Sequence, residues 1–520
     1  MQDPRLVQLN NAEQYTYEYD LMGRKKKLTY PKDDANVRRT EQWSYDAVGR
    51  LQTFTNRAGN VQTFEYDPLN RMKDFYWDDG VTPRVDFTYD PVSRLTDINN
   101  ANAAIHRIYW NDGLLRAETE TITGAQSKTV QYTYDADGNR SQIWYPDGGI
   151  TFAYSYNGRN QLSAVNAWAN YIYDENGYKG DLTTRTLTTG QLSTSYTYDA
   201  LDRVTWVTHS FANNVGRWFN YGYQQNTDNR KFVRRWNGQN DNGDIFAYDL
   251  ADQVIGVQLN VVHPDTAPPP RSSITYDPNG NRTAFNPYAP PNQTYAPTNN
   301  LNQYVSRTIG NTITFASYDY RGNMTQGLDG STYTYDAQNR LTQATRNGVT
   351  MSFAYDGLNR QVKRVVSGGP SPGSFYSVWD GWDLIEEYQR INGNWTVTSA
   401  YVYGATGLIA ATYNGQVYFH FQDASGSTSH LTDASGVLRE WYRYDLQGAP
   451  MFYDANNNQL SASAFGVRHL FTGQQWYPEL GLYDLRNRFY SPDLGRFLQP
   501  DPIGFEGDAT NLYRYCGNNP

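Results

Sequence analysis

The chain has 520 residues, of which 45 are Tyr, 43 Gly and 23 Pro; 38% are hydrophobic, aromatics make up 15%, and 44 basic against 53 acidic side chains leave a formal charge of −9. Such a thin aliphatic supply argues against a large α/β enzyme or a helical bundle, and the acidic balance disfavours nucleic acid or an anionic membrane as the main partner. The single cysteine, Cys516, excludes an internal disulfide framework or a thiolate zinc site within one chain, and no apolar run approaches the ~18 residues of a membrane helix.

Residues 1–30 hold no apolar signal-peptide centre. From there one phrase recurs: Tyr19-Asp20-Leu21-Met22-Gly23-Arg24, Tyr45-Asp46-Ala47-Val48-Gly49-Arg50, Tyr66-Asp67-Pro68-Leu69-Asn70-Arg71, Tyr89-Asp90-Pro91-Val92-Ser93-Arg94. Further copies begin at Tyr134, Tyr198, Tyr276, Tyr318, Tyr335, Tyr355 and Tyr444, with worn ones at Tyr109, Tyr156, Tyr173 and Tyr248. A period of about 20 to 25 residues is one strand pair with its turns. Stretches such as Tyr15-Thr16-Tyr17-Glu18-Tyr19 alternate at period two and predict strands.

The phrase itself predicts a turn. Its Asp can accept hydrogen bonds from the next backbone N–H groups. The fourth position beyond each Tyr is Gly49, Asn70, Asn339 or another Gly, Asn or Asp, with Ser93 the exception; these residues tolerate positive φ most cheaply. The following Arg (Arg50, Arg71, Arg340) is expected to lie across a neighbouring Tyr ring or to pair with the Asp of the next copy. Tyr45, Asp46, Tyr66, Asp67, Tyr335 and Asp336 are therefore read as scaffold rather than catalysts.

Two proline-dense stretches, 264–270 and 286–297, are expected to be surface loops. Gly368-Gly369-Pro370-Ser371-Pro372-Gly373 is a further break, and strand-like patterning resumes at 381–388 and 395–398. The division is accordingly set at 1–370, the repeat sheet, and 371–520, a C-terminal module.

Tandem Tyr-Asp-x-x-Gly-Arg phrases resemble the YD, or RHS (rearrangement hotspot), repeats of bacterial polymorphic toxins, insecticidal toxin complexes and teneurins. The C-terminal phrases, among them Phe471-Thr472-Gly473, Gly481-Leu482-Tyr483, Arg488-Phe489-Tyr490, Gly495-Arg496-Phe497-Leu498, Asp501-Pro502-Ile503-Gly504 and Gly517-Asn518-Asn519-Pro520, resemble the RHS-associated core. The resemblance implies an all-β fold: one long antiparallel sheet of tandem hairpins wound as a spiral around a hollow. A single-layer wall of that kind needs little aliphatic core, and tyrosine suits it. At ~22 residues per strand pair and ~4.8 Å per strand the chain supplies about 45 to 50 strands and a ribbon roughly 220 Å wide. On a cylinder roughly 60 Å across this is a little over one turn, an open or partial shell.

The function implied is a structural encapsulation scaffold housing a C-terminal toxin or cargo that is not in this sequence, completed by a shell partner and secreted or displayed at the cell surface. The alternatives are an adhesion module binding a glycan or protein, and self-cleavage by an aspartyl protease core. For self-cleavage the residues left are Asp493 and Asp501; the sequence has Tyr477 and Ser491 where the family often has acids, and no Asp-Pro-x-Gly phrase follows Asn-Asn-Pro. No cofactor is expected. The six histidines lack metal-ligand spacing; His420 and His430 flank a loop containing Asp423, for which zinc is the minor alternative.

Overall fold

A computed structural model describes residues 14–174, 179–187 and 192–520; the turn after Tyr173 falls largely outside them. Within the described residues lie 46 strands, no α-helix and a few single 3-10 turns. The strands form sheets of 22, five, 15 and four members, over residues 16–262, 273–315, 317–460 and 475–497. Neighbours in sequence pair antiparallel, as in Trp43 opposite Phe54 and Phe64 opposite Phe75. Alternation puts successive side chains on opposite faces, so aromatic residues in register stack across strands, with ring centroids of Trp43 and Phe54 5.4 Å apart and those of Phe64 and Phe75 6.2 Å apart.

The ribbon is wound, and it meets itself at a regular offset. Asn299 Nδ2 donates to Asp34 Oδ2 at 3.2 Å across 265 residues, Ala337 N to Thr82 Oγ1 at 2.8 Å across 255, and Asn100 Nδ2 to Tyr355 O at 3.0 Å across 255. Further along, Tyr145 OH donates to Tyr401 O at 2.5 Å across 256 and Arg185 Nη1 to Gln422 Oε1 at 2.8 Å across 237. A second arc, about 299–443, therefore lies along the first, about 34–244. From Arg38–Tyr45 to Gln293–Tyr295 there are 23 strands; at ~4.8 Å each, one circuit is about 110 Å round and about 35 Å across. The expected 60 Å cylinder was too wide, and the winding goes well past the little over one turn that it implied. The shell is nevertheless open, for Thr16–Tyr19 has a ladder partner on one side only among the described residues.

The arcs meet end to end: the Tyr-Asp turns of the second sit on the opposite hairpin ends of the first. Gly357, in one such turn, has no room for a side chain, because a Cβ there would be 2.5 Å from Ile98 Cγ2 and 2.9 Å from Val85 Cγ1. Burial follows. Asp336 and Asp356 of the second arc are 4% and 0% exposed, whereas Asp46 and Asp67 of the first stay half-buried.

This seam corrects the expectation of a wall without an aliphatic core. Val165, Leu187 and Phe211 of the first arc share one buried cluster with Val402, Ile409, Phe421 and Leu431 of the second and with Leu470, Tyr483 and Tyr490 of the C-terminal region. Winding supplies the second layer that a flat sheet lacks, and each fully buried side chain of this size contributes about 1.5–3 kcal/mol.

The loop at 264–270 is as expected. Within 286–297, however, Gln293–Tyr295 is a strand between Arg282–Asn286 and Ser306–Ile309; the prolines fall outside its three residues, so the ladder survives. At 368–373 the chain turns between Gln361–Ser367 and Gly373–Asp380, which pair, so the sheet is continuous across residue 370.

Candidate functional site

The repeated turn is a lock with four parts. Asp46 Oδ1 accepts from the N–H groups of Val48 (3.0 Å) and Arg50 (2.9 Å), and Arg50 Nε donates to Asp46 Oδ2 at 2.7 Å. Gly49 takes φ +95°, and Asn70 and Asn339 take +63°. The Arg50 guanidinium lies 4.5 Å from the centroid of Tyr66, in the next copy, while Tyr66 OH donates back to Leu51 O at 2.9 Å. Arg50 Nη1 also reaches Asn70 Oδ1 at 2.8 Å. Asp67 and Arg71 repeat the pattern (Nε to Oδ2, 2.6 Å), with Arg71 4.5 Å from Tyr89 and Tyr89 OH on Met72 O at 2.9 Å. Asp336 and Arg340 repeat it again (2.7 Å), with Arg340 5.0 Å from Tyr355.

Arg thus lies across the neighbouring Tyr, as expected, but its ion pair is with the Asp of its own copy. Four residues of separation across a tight turn place the two side chains together, and the next Asp is out of reach. Sequence reading missed the tyrosine hydroxyl, which ties Tyr66 and Tyr89 to the carbonyls of Leu51 and Met72, each next after the Arg of the previous copy; the Tyr that opens every copy was its signal. For Asp20 the backbone N–H of Arg24, then the Arg24 side chain, outweigh partial desolvation and hold the carboxyl below its ordinary value.

Ser93 tests the turn geometry, for it holds φ +69° and accepts from Arg71 Nη1 at 3.1 Å. Asn fits this conformation at less cost and keeps an acceptor, as Asn70 does. Ser93→Asn is expected to raise stability by about 1 kcal/mol in urea unfolding; a loss would contradict the turn assignment.

Asp493 and Asp501 are each bonded to a separate arginine. Arg307 Nη1 donates to Asp493 Oδ1 at 2.8 Å, and Arg488 Nη2 pairs with Asp501 Oδ2 at 2.9 Å. Asp501 Oδ1 accepts from Ile503 N at 3.1 Å, a local turn. No hydrogen bond joins these two carboxylates among the described residues. His420 and His430 do not converge either: the ladder sets His420 opposite Leu431 and Phe421 opposite His430, which places the two rings on opposite faces. Both are buried, His420 bonding Tyr413 at 3.1 Å and His430 bonding Ser429 at 3.0 Å; burial holds both below the usual imidazole range.

The sequence did not single out the buried carboxyls. Burial pushes Asp484 up to about 7 against the bond from Arg486 N, and Asp445 up to about 6 against the N–H groups of Ala449 and Gln447. Between pH ~4 and 7 the folded chain holds a proton on Asp484 that the unfolded chain has released, so stability falls by about 1.4 kcal/mol per unit as pH rises through that window and then levels off. Asp484→Asn is expected to remove this slope, so that variant minus wild type grows from pH 4 to 7. Parallel pH profiles of the urea midpoint would contradict it.

A cavity of about 720 Å³ lies between the first strands and residues 500–506. Tyr17, Trp43, Phe54, Phe64 and Trp77 line one side, and Pro502, Ile503 and Phe505 the other. Tyr15 and Phe505 meet at 4.6 Å between centroids, and the Lys25 ammonium stands 5.0 Å from Trp43. Glu41 is half-buried in the wall, its carboxyl raised by desolvation despite Arg57. Such a cleft can stack planar rings and hold an extended chain.

A sheet of locked Tyr-Asp hairpins, wound until its second arc rests on its first, defines a YD-repeat shell protein. The profile of the teneurin YD-shell family matches residues 73–263 and 257–520, and that of the RHS repeat residues 45–73; the chain belongs to the teneurin YD-shell family. It is 37% identical over 212 residues to the tRNA3(Ser)-specific nuclease WapA of Bacillus spizizenii, covering 39% of this chain and 9% of that protein. It is 30% identical over 235 residues to double-stranded DNA deaminase toxin A of Burkholderia cenocepacia, covering 39% and 16%, and 27% identical over 258 residues to toxin protein Tse5 of Pseudomonas aeruginosa, covering 42% and 18%. The chain thus spans less than a fifth of each. Among solved structures, one of TcdB2-TccC3-Cdc42 superposes with a TM-score of 0.79 at 16% identity, over 98% of this chain and 28% of that one, a likeness of fold.

Proposed function

We propose that the chain is an encapsulation scaffold, a wall that houses a toxin or other cargo carried C-terminal to the core module, at the cell surface or outside the cell. The carrying observation is the seam: a sheet that recrosses itself every 250 residues or so encloses space, and a flat binding sheet has no need to. The toxin names of the relatives support the reading. In this proposal 1–370 builds wall and 371–520 completes it and presents the cargo.

The free rim supports a shell-completing partner. Leu21, Met22, Val48, Leu69, Val92, Leu201 and Leu250, all in turns of the 22-stranded sheet, are exposed. In the second arc the corresponding Ala337 is buried and Leu358 packs on the Val85, Ile98 and Ile105 cluster. A further arc seated on the first would cover that apolar row in the same way.

The test is a protease-sensitive reporter fused after Pro520 or, in a second chain, at residue 1. Cleavage after Pro520 is expected to be at least about tenfold slower, and equal rates would contradict enclosure. The aromatic cleft favours a second reading, adhesion through a glycan or peptide; binding to a glycan array that Trp43→Ala abolishes would support it. Self-cleavage involving Asp493 or Asp501 remains subordinate and is read from Asp493→Asn and Asp501→Asn in a chain extended past Pro520, where unchanged cleavage in both removes these residues from the proposal.

A further inference from the structure

Where the C-terminal module meets the second sheet, a cavity of about 10 Å³ is lined by Arg282, Arg496 and Arg514. Two glycines make room for them. A Cβ at Gly280 would lie 2.6 Å from Arg514 Nη1, and one at Gly495 would lie 2.6 Å from Arg282 Nη2. An antiparallel bridge sets Arg496 directly opposite Arg514, and like charges in that relation repel.

Negative charge does not match them. Asp508 Oδ2 accepts from Arg514 Nε at 2.6 Å, but neither Arg282 nor Arg496 has a carboxylate within ion-pair distance among the described residues. Arg496 Nη2 is spent on neutral acceptors, Asn302 O at 2.9 Å and Asn511 Oδ1 at 3.1 Å, and its plane lies 4.2 Å from the centroid of Tyr304. Asp445 acts on Arg282 only at a distance, and its Oδ1 is taken by the N–H groups of Gln447 and Ala449. Arg496 Nη1 and Arg282 Nε are buried without a hydrogen-bond partner among the described residues, in side chains of residues only 4% and 7% exposed. Buried, unpaired guanidinium groups are costly, and a polar group left so calls for a water or an ion.

We propose that this cavity is an anion site that takes one monatomic monovalent anion, a halide, and so pins the C-terminal module to the repeat sheet. The volume suits about one water-sized atom. An anion there would accept from Arg496 Nη1 and Arg282 Nε and offset the two unmatched charges. Neutral water would leave those charges in place.

Thermal unfolding of the full chain at fixed ionic strength, with sodium chloride exchanged for sodium gluconate, tests the site. The expected result is a Tm at least about 3 °C higher in chloride, saturating with concentration, and chloride NMR lines that broaden with protein and sharpen when bromide is added. Acetate, whose carboxylate has more heavy atoms than the cavity holds, should behave as gluconate does. Arg282→Gln should abolish the anion-specific rise, and Arg116→Gln, an exposed arginine elsewhere, should retain it. Equal Tm in chloride, acetate and gluconate, with no line broadening, overturns the proposal on wild-type protein alone, whether or not the variants fold.

Discussion

Arg360→Met is expected to cost about 3–5 kcal/mol, several times the loss from Arg50→Met in the first arc. Both arginines occupy the same place in the repeated turn and both bond their own Asp, Arg360 Nε to Asp356 Oδ2 at 2.6 Å and Arg50 Nε to Asp46 Oδ2 at 2.7 Å. Their surroundings differ. Arg360 is 2% exposed, and its Nη1 crosses the seam to Glu118 Oε1 at 2.8 Å, 242 residues away. Glu118 also takes Arg107 Nε at 2.8 Å; burial pushes its carboxyl up, but Arg360 and Arg107 outweigh it and hold Glu118 ionised. Removing Arg360 leaves Asp356 and part of Glu118 buried without their cation. At Arg50 water takes over, and the loss is about 1 kcal/mol or less. Urea unfolding of the two variants reads the difference; equal losses would mean that the seam carries no special load.

Gly404→Ala should destabilise by about 3 kcal/mol, and adding Tyr171→Phe should return most of it. A Cβ on Gly404 would fall 1.9 Å from the Tyr171 hydroxyl oxygen but 3.0 Å from the ring carbon that carries it, so deleting one oxygen relieves most of the overlap. The two residues belong to different arcs, 233 positions apart by number. Rescue therefore reports on winding as well as packing. If the double variant loses as much as the sum of the singles, Tyr171 does not face Gly404 in solution.

Much of this was legible from one phrase. Tyr45-Asp46-Ala47-Val48-Gly49-Arg50 specifies its own turn, because every bond that closes it lies within five residues, and the positive φ at Gly49, Asn70 and Asn339 could be read from side-chain type. Long-range relations had no such local signature. Apart from Gly357, which stands where the other copy has Pro68, Asp356-Gly357-Leu358-Asn359-Arg360 does not differ in kind from Asp67-Pro68-Leu69-Asn70-Arg71, yet one is sealed in a seam and the other lines a rim; the distinction depends on the circumference of the winding. The circumference in turn depends on strand tilt and on what fills the interior, which sequence periodicity does not encode. Asp445 and Asp484 escaped notice for the same reason: each looks like a turn or strand-end Asp until packing within the folded chain desolvates it. The pair Asp493 and Asp501 was chosen on family phrases, and the local geometry gives each an arginine of its own.

The central claim is that the ribbon returns alongside itself after about 250 residues. It is tested most directly by replacing Thr82 and Ala337 with cysteine in a Cys516→Ser background, since Ala337 N and Thr82 Oγ1 lie 2.8 Å apart across 255 residues. Thr63 and Tyr76, facing each other within one hairpin, serve as the control pair. Under mild oxidation the wound sheet predicts that both pairs form intramolecular disulfides in the monomer, the first closing a loop large enough to shift the unfolded chain's mobility on a non-reducing gel. A control that oxidises while the 82–337 pair stays reduced would contradict the winding.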